Sequence, residues 1–387
     1  MRKRTARLRW GAILVGVALT ASACSSDTDD DSSSREVAQQ TEQPKKERHE
    51  AGDPIAALLP LKKGQGLHAQ SAFSVGPVAA NNRYVFWAAA AGDEDEDVVL
   101  LRRDLRSGTV RTLTRGVFRA FGLATTPSAL MYATRSGAGV ALVAINPAGE
   151  RRRLLSRSLI APFDARGDMV AWAEGNALRH RVIVRNMRTE RQWVAMNAAR
   201  CQGTRCYRID RVTVADEGVV FGLGSVGQGY PSLIGRLRWT DAKPSFARIA
   251  NDPQPDLVSS SIGALYYQLR RGWVEWEFDE NRPRLTSLRN ARPWLLAANG
   301  NRRLVLKGPT CGAKVAVRLV GGRTEALPVP KSTPASPTKF GPLCRQLMGF
   351  AWTGDRVFFA WTLTPKISLE AHEDVGMTGI ITAARVP

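Results

Sequence analysis

The segment Tyr84-Val85-Phe86-Trp87-Ala88 decides the fold, because six more of its kind follow it along the chain. They read ALMYA (129–133), MVAWA (169–173), VVFGL (219–223), ALYYQ (264–268), RLVLK (303–307) and RVFFA (356–360). With Val85, Leu130, Val170, Val219, Leu265, Leu304 and Val357 taken as equivalent, the spacings are 45, 40, 49, 46, 39 and 53 residues. A second set keeps pace: VVLLRRDL, ALVAINPA, RVIVRNMR, SLIGRLRW, GWVEWEFD, KVAVRLVG and GIITAARV. Apolar and polar residues alternate in these with a period of two, which marks half-buried strands rather than helices.

Each repeat supplies an inner strand, these two central strands, and an outer strand after a tight turn. Seven four-stranded units at a period near 45 residues predict an all-β fold, a seven-bladed β-propeller over residues 54–387. A β-sandwich also has many short strands but would not repeat so evenly. Pro387 directly follows the third strand of the seventh unit, so that blade needs its outer strand from elsewhere. Ala56-Ala57-Leu58-Leu59-Pro60-Leu61 resembles Glu325-Ala326-Leu327-Pro328-Val329-Pro330 of the sixth unit and is expected to close the ring. Closure would remove the exposed edges of an open array. The pattern resembles the TolB-like and YncE-like propellers of bacterial envelopes, most clearly at Asp104-Leu105-Arg106-Ser107-Gly108. Asn146-Pro147-Ala148-Gly149 and Asn186-Met187-Arg188-Thr189 keep that turn more loosely.

Ahead of the repeats the composition changes twice. Residues 1–23 carry Arg2, Lys3, Arg4, Arg7 and Arg9, then an apolar run, then small residues, which is the order of a bacterial export signal. Leu19-Thr20-Ala21-Ser22-Ala23-Cys24 resembles the lipobox of bacterial lipoproteins, which implies lipid attachment at Cys24. Ala21-Ser22-Ala23 is also an A-x-A site at which an ordinary signal peptidase would release a soluble protein. An uncut anchor is a third reading, although the apolar run is short against the ~20 residues that span a bilayer. No twin-arginine pattern is present, so export of the unfolded chain is expected. Residues 24–53 follow as a tether with one Val, two Ala and no aromatic residue, too little apolar area to offset ordering, which predicts disorder. Its average reach is about 30 Å.

The chain has five cysteines, an odd number for an exported protein. Assigning Cys24 to the lipid leaves Cys201, Cys206, Cys311 and Cys344, an even set that suggests two disulfides. Proximity pairs Cys201 with Cys206 and Cys311 with Cys344, although four cysteines allow three pairings. A zinc site would want Cys-x-x-Cys spacing and neighbouring histidines; His49, His68, His180 and His372 lie elsewhere.

Loop lengths point to one face. Loops joining second to third strands share a face with the connections between blades, and that face carries the insertions: 91–97, 224–232, 308–312 and 364–378 within blades, 197–207 and 331–343 between them. Long loops on a rigid scaffold commonly bind, and the four cysteines fall there too.

Catalytic motifs are weak. Gly222-Leu223-Gly224-Ser225-Val226-Gly227 matches G-x-G-x-x-G, but a strand rather than a helix is expected after it, so no helix N-terminus awaits a phosphate. Asp93-Glu94-Asp95-Glu96-Asp97 lacks the spaced ligands of a calcium loop. His372-Glu373 has no partner nucleophile motif, and no G-x-S-x-G occurs. Trp87, Trp172, Trp239, Trp273, Trp276, Trp352 and Trp361 mostly occupy strand positions and are expected to pack between blades. No cofactor, metal ligand or catalytic residue is expected.

The formal net charge is +20, with 44 arginines and 11 lysines. The signal contributes five positive charges, and the tether has nine acidic against four basic residues, so residues 54–387 are also at +20. Such a domain favours anionic partners such as phospholipid head groups, phosphate-bearing wall polymers and acidic polysaccharides. Nucleic acid is not expected outside the cytoplasm. The leading expectation is therefore an extracytoplasmic, lipid-anchored, non-catalytic binding or assembly module of the cell envelope. An envelope protein or an anionic glycan or wall polymer would be its partner. In a host with two membranes, Ser25 resembles the outer-membrane sorting pattern. The alternative is a polysaccharide lyase or glycan hydrolase with carboxylates and arginines at the channel mouth, for which two carboxylates roughly 5–10 Å apart would be the mark.

Overall fold

The computed structural model describes residues 68–71, 74–90, 98–137, 139–176, 179–197, 206–226, 232–249, 257–260, 262–268, 272–286, 294–307, 314–320, 322–329, 343–365 and 378–386. Twenty-eight strands among them form seven four-stranded antiparallel sheets. Helical structure among the described residues is limited to one 3-10 turn, Arg119–Phe121. The fold is a seven-bladed β-propeller.

Blade 1 comprises β2 (Ser74–Ala80), β3 (Tyr84–Ala90), β4 (Val99–Asp104) and β5 (Val110–Arg115). Blade 2 is β6 (Leu123–Thr125), β7 (Leu130–Ser136), β8 (Gly139–Ile145) and β9 (Arg152–Ser156). Blade 3 is β10 (Asp164–Arg166), β11 (Met169–Asn176), β12 (Arg179–Asn186) and β13 (Gln192–Asn197). Blade 4 is β14 (Cys206–Val214), β15 (Gly218–Val226), β16 (Ser232–Arg238) and β17 (Ser245–Ile249). Blade 5 is β18 (Leu257–Ser259), β19 (Gly263–Gln268), β20 (Gly272–Glu277) and β21 (Arg284–Leu285). Blade 6 is β22 (Trp294–Asn299), β23 (Arg302–Lys307), β24 (Lys314–Leu319) and β25 (Thr324–Ala326). Blade 7 is β26 (Leu343–Thr353), β27 (Arg356–Pro365) and β28 (Thr378–Arg385), completed on its outer edge by β1 (His68–Ser71).

An N-terminal strand closes the ring, but not the one expected. His68 pairs with Thr382, Ala69 with Ile381, Gln70 with Ile380 and Ser71 with Gly379. The closing segment, His-Ala-Gln-Ser, has almost no β-propensity of its own. The free edge of β28 and the short link from Ser71 to β2 select it, rather than the apolar resemblance that pointed to Ala56–Leu61. That stretch lies outside the described residues.

The core is distributed around the ring as seven apolar clusters, one at each blade–blade interface. Trp87 and Val85 of blade 1 meet Phe358, Ala360 and Ile381 of blade 7 at the seam. Leu265 and Trp273 of blade 5 meet Val305 and Ala316 of blade 6. The other five interfaces repeat the arrangement. Trp87, Trp172 and Trp361, each on a second strand, are almost fully buried. Blades pack closely where the inner strands converge. A Cβ on Gly76 would lie 2.7 Å from the Met348 Cβ of blade 7, and its φ of +125° suits glycine alone.

The turns between third and fourth strands show why Asp104, Asn146 and Asn186 recur. Asp104 Oδ1 accepts from the backbone N–H of Arg106 (2.8 Å) and Ser107 (3.2 Å). Asn146 Oδ1 accepts from Glu150 and Arg151, and Asn186 Oδ1 from Arg188 and Thr189. Each side chain replaces a backbone acceptor and fixes the turn.

Candidate functional site

The seven inner strands surround a channel of about 910 Å³. It continues into a mouth of about 730 Å³ on the side of the short hairpin turns, next to blades 7, 1, 2 and 3. Register shifts on β2, β22 and β26 put Pro77, Leu296 and Met348, each out of its ladder, in the wall of this space. Apolar groups such as Phe121, Trp273, Met348 and Phe350 form part of the wall, and its charges are Arg119, Asp164, Arg166 and Arg211.

Asp164 is thus the single carboxylate among the described lining residues. Its Oδ2 accepts from the Thr213 hydroxyl and the Val214 N–H, both at 2.8 Å, and its Oδ1 accepts from the Ala165 N–H at 2.8 Å. These bonds tie blade 3 to blade 4. Burial pushes the Asp164 carboxyl above the usual aspartate range, against the pull of Val214, Thr213, Ala165 and the nearby Arg166. Arg166 pairs with Asp216 of blade 4 and reaches Asn299 of blade 6 at 3.5 Å, so it spans the mouth. Arg211 donates to the Leu257 carbonyl oxygen at 3.0 Å. Asp164, Arg166 and Arg211 are therefore engaged in holding the ring, and no second carboxylate stands with Asp164 among the described residues that line the channel and its mouth.

The opposite face carries the long loops, most of which lie outside the described residues, as do Cys24, Cys201, Cys311, Asp93–Asp97 and His372. Cys206 begins β14 and Cys344 is the second residue of β26, so both sit where inner strands start, at the end shared with those loops. Cys344 is buried and disulfide-bonded. A polar group also gathers there between blades 3 and 4. Arg208 Nε donates to Asp210 Oδ1 at 2.7 Å, and Asp210 is the extra residue of the β14 bulge. His180 stands near both, and burial lowers its pKa first, so it is neutral at neutral pH. Deeper in blade 3, Glu174 accepts from Trp172 Nε1 at 2.9 Å and Arg181 Nε at 2.8 Å. Burial raises the Glu174 pKa, but bonds from Trp172, Ser156 and Arg181 outweigh it and hold the carboxyl below its usual range. His180 meets Arg208 and Asp210 only through the packing of blades 3 and 4, whereas Glu174 and Arg181 are cross-strand partners in the β11–β12 hairpin. Among the described residues no three His, Cys, Asp or Glu side chains gather as a metal site.

The glycine motif is disposed of directly: Gly222-Leu223-Gly224 lies inside β15, which runs on to Val226. Trp273 and Trp276 are buried as expected of packing residues, while Trp239 and Trp352 are half-buried.

No family model matches the chain, and no curated protein matches it. Solved structures do. A prolyl endopeptidase superposes with a TM-score of 0.54 at 14% identity over 80% of this chain, which spans only 46% of that chain. The β-propeller domain of the Trilobed protease from Pyrococcus furiosus, which has an open velcro topology, gives 0.53 at 8% identity, covering 75% of this chain and 89% of that one. The polysaccharide lyase Uly1 gives 0.50 at 8% identity, covering 86% and 95%. TolB from Acinetobacter baumannii also matches, at a TM-score of 0.35 and 12% identity over 74% of this chain and 60% of that one. At these identities the likeness establishes the propeller fold. β1 gives this ring a closed seam.

Proposed function

We propose that the chain is an extracytoplasmic lipoprotein, held to the cell membrane through acyl groups on Cys24. Its TolB-like or YncE-like propeller binds or helps assemble envelope components without catalysis. In a host with two membranes, Ser25 fits sorting to the outer one. The carrying observation is the channel wall. Its one described carboxylate, Asp164, already accepts three hydrogen bonds and joins two blades, which is a structural assignment rather than an acid–base one. Glycan hydrolysis needs a second carboxylate across the bond to be cut.

The partner docks on the long-loop face, where Cys201–Cys206 and Cys311–Cys344 pin the loops. Closing the longer of these would contribute about 3–4 kcal/mol if unstrained. As a leash, residues 24–53 would keep the propeller clear of the lipid without fixing its direction. The test is cross-linked capture from envelopes with the full chain as bait, against a chain whose segments 308–313 and 366–377 are replaced by short Gly/Ser links. The partner recovered by the first is lost from the second. Recovery unchanged by the replacement would remove this face from the reading.

A further inference from the structure

The surface arginines are not spread evenly around the ring. On blades 1 to 3 the third-to-fourth-strand turns and outer strands (105–115, 146–157 and 187–197) expose nine arginines against two acids, Glu150 and Glu190. The corresponding parts of blades 4 to 6 (239–249, 279–286 and 320–329) expose five basic residues against three acids. A genome-wide bias toward arginine would load every blade alike. With ion-paired side chains set aside, the difference in number persists among the described residues, seven cations on blades 1 to 3 against four on blades 4 to 6. On blade 5 Arg284 pairs with Glu277 and Glu280, and Arg238 of blade 4 pairs with Glu217 and Asp279. Arg106, Arg111, Arg115, Arg151, Arg152 and Arg157, by contrast, form no side-chain ion pair with any described residue.

The backbone singles out the same three blades. Only there, among the described strands, does the register shift between third and fourth strands, at Leu100/Leu101, Leu142/Val143 and Val182/Ile183. Bulges of this kind turn an edge strand and re-aim its side chains. The Asp104, Asn146 and Asn186 turns that hold the adjoining loops also belong to these blades.

We propose that this rim of blades 1 to 3 is a docking surface for a flexible linear polyanion, a phosphate- or carboxylate-bearing polymer lying along the arc. Guanidinium groups pair with both anions through two parallel N–H donors, which suits arginine better than lysine. Shape decides between a polymer and a lipid surface. Three of seven blades subtend about 150° of the ring, a convex arc that a flat bilayer touches at one blade and a flexible chain follows. The surface is separate from the long-loop face. It rests on the envelope reading only for which polymers the protein would meet, so failure of either leaves the other standing.

The test measures binding of the purified full chain to long-chain inorganic polyphosphate and to polygalacturonate across a salt series. Its two variants are Arg111→Gln/Arg151→Gln/Arg152→Gln on the rim and Lys243→Gln/Arg248→Gln/Arg282→Gln on blades 4 and 5. Both remove three exposed, unpaired charges, so both should fold. The rim variant is expected to bind about tenfold more weakly or worse, with a shallower dependence on salt, while the control stays within about twofold of the parent. Equal loss in both variants would reduce the effect to net charge and overturn the proposal. So would a rim variant that self-associates but binds polymer normally, which would assign the arginines to protecting strand edges. Tighter rim-dependent binding to phosphatidylglycerol vesicles than to either polymer would replace the occupant with a membrane.

Discussion

Asp164 shows how one residue serves the ring. Its oxygens accept from Thr213 and Val214 of the next blade, so it staples two inner strands where no sheet hydrogen bonds cross. Asp164→Ala leaves those donors unsatisfied inside the ring and is expected to cost about 1–3 kcal/mol in thermal or urea denaturation. Asp164→Asn keeps an acceptor and should cost less. The pH dependence separates the two. Because burial raises the folded-state pKa, the stability linked to the neutral carboxyl is present below the ordinary aspartate value and is lost as pH rises through the raised one. The difference between parent and Asp164→Asn should therefore turn against the parent as pH climbs above about 4. Nothing in Ala161-Pro162-Phe163-Asp164 announces this role. The partner lies 49 residues away, and only the blade repeat brings Thr213 alongside. Sequence separation likewise hid the approach of His180 to Arg208 and Asp210, 28 and 30 residues further on, whereas Asp104, Asn146 and Asn186 were legible because their partners are within five residues.

At the scale of elements, the seam is the part the sequence placed least well. The second and third strands were readable in all seven blades, because burial on one or both faces imposes its own pattern of apolar residues. β1 had no such pattern, since an outer strand of four residues contributes little to a core and is chosen by the vacancy beside β28. Ile381 measures what closure contributes. It stands opposite Ala69 of β1 and packs with Val85 and Trp87 of blade 1. Ile381→Ala is expected to lose about 2–5 kcal/mol. Hydrogen exchange should then quicken at residues 68–71 before it does in blades 3 and 4. Uniform quickening around the ring would mean that the seam carries no special weight.

For the whole molecule, seven interface clusters make a rigid ring with two unlike surfaces, a face of long loops and a rim that is basic on one side. The repeat period revealed the ring, and the +20 charge raised the expectation of anionic partners. Which side carries the charge was not legible, because Arg111, Arg151 and Arg191 become neighbours only once blades are laid side by side. The central claim is that this molecule binds without turning its ligand over. The most direct measurement incubates the full chain with an anionic polysaccharide it binds and follows new reducing ends and unsaturated sugar products. Intact polymer, released unchanged by salt, is the expected result. Products formed by the parent chain and abolished by Asp164→Asn, with the fold retained, would contradict it and make the channel an active site.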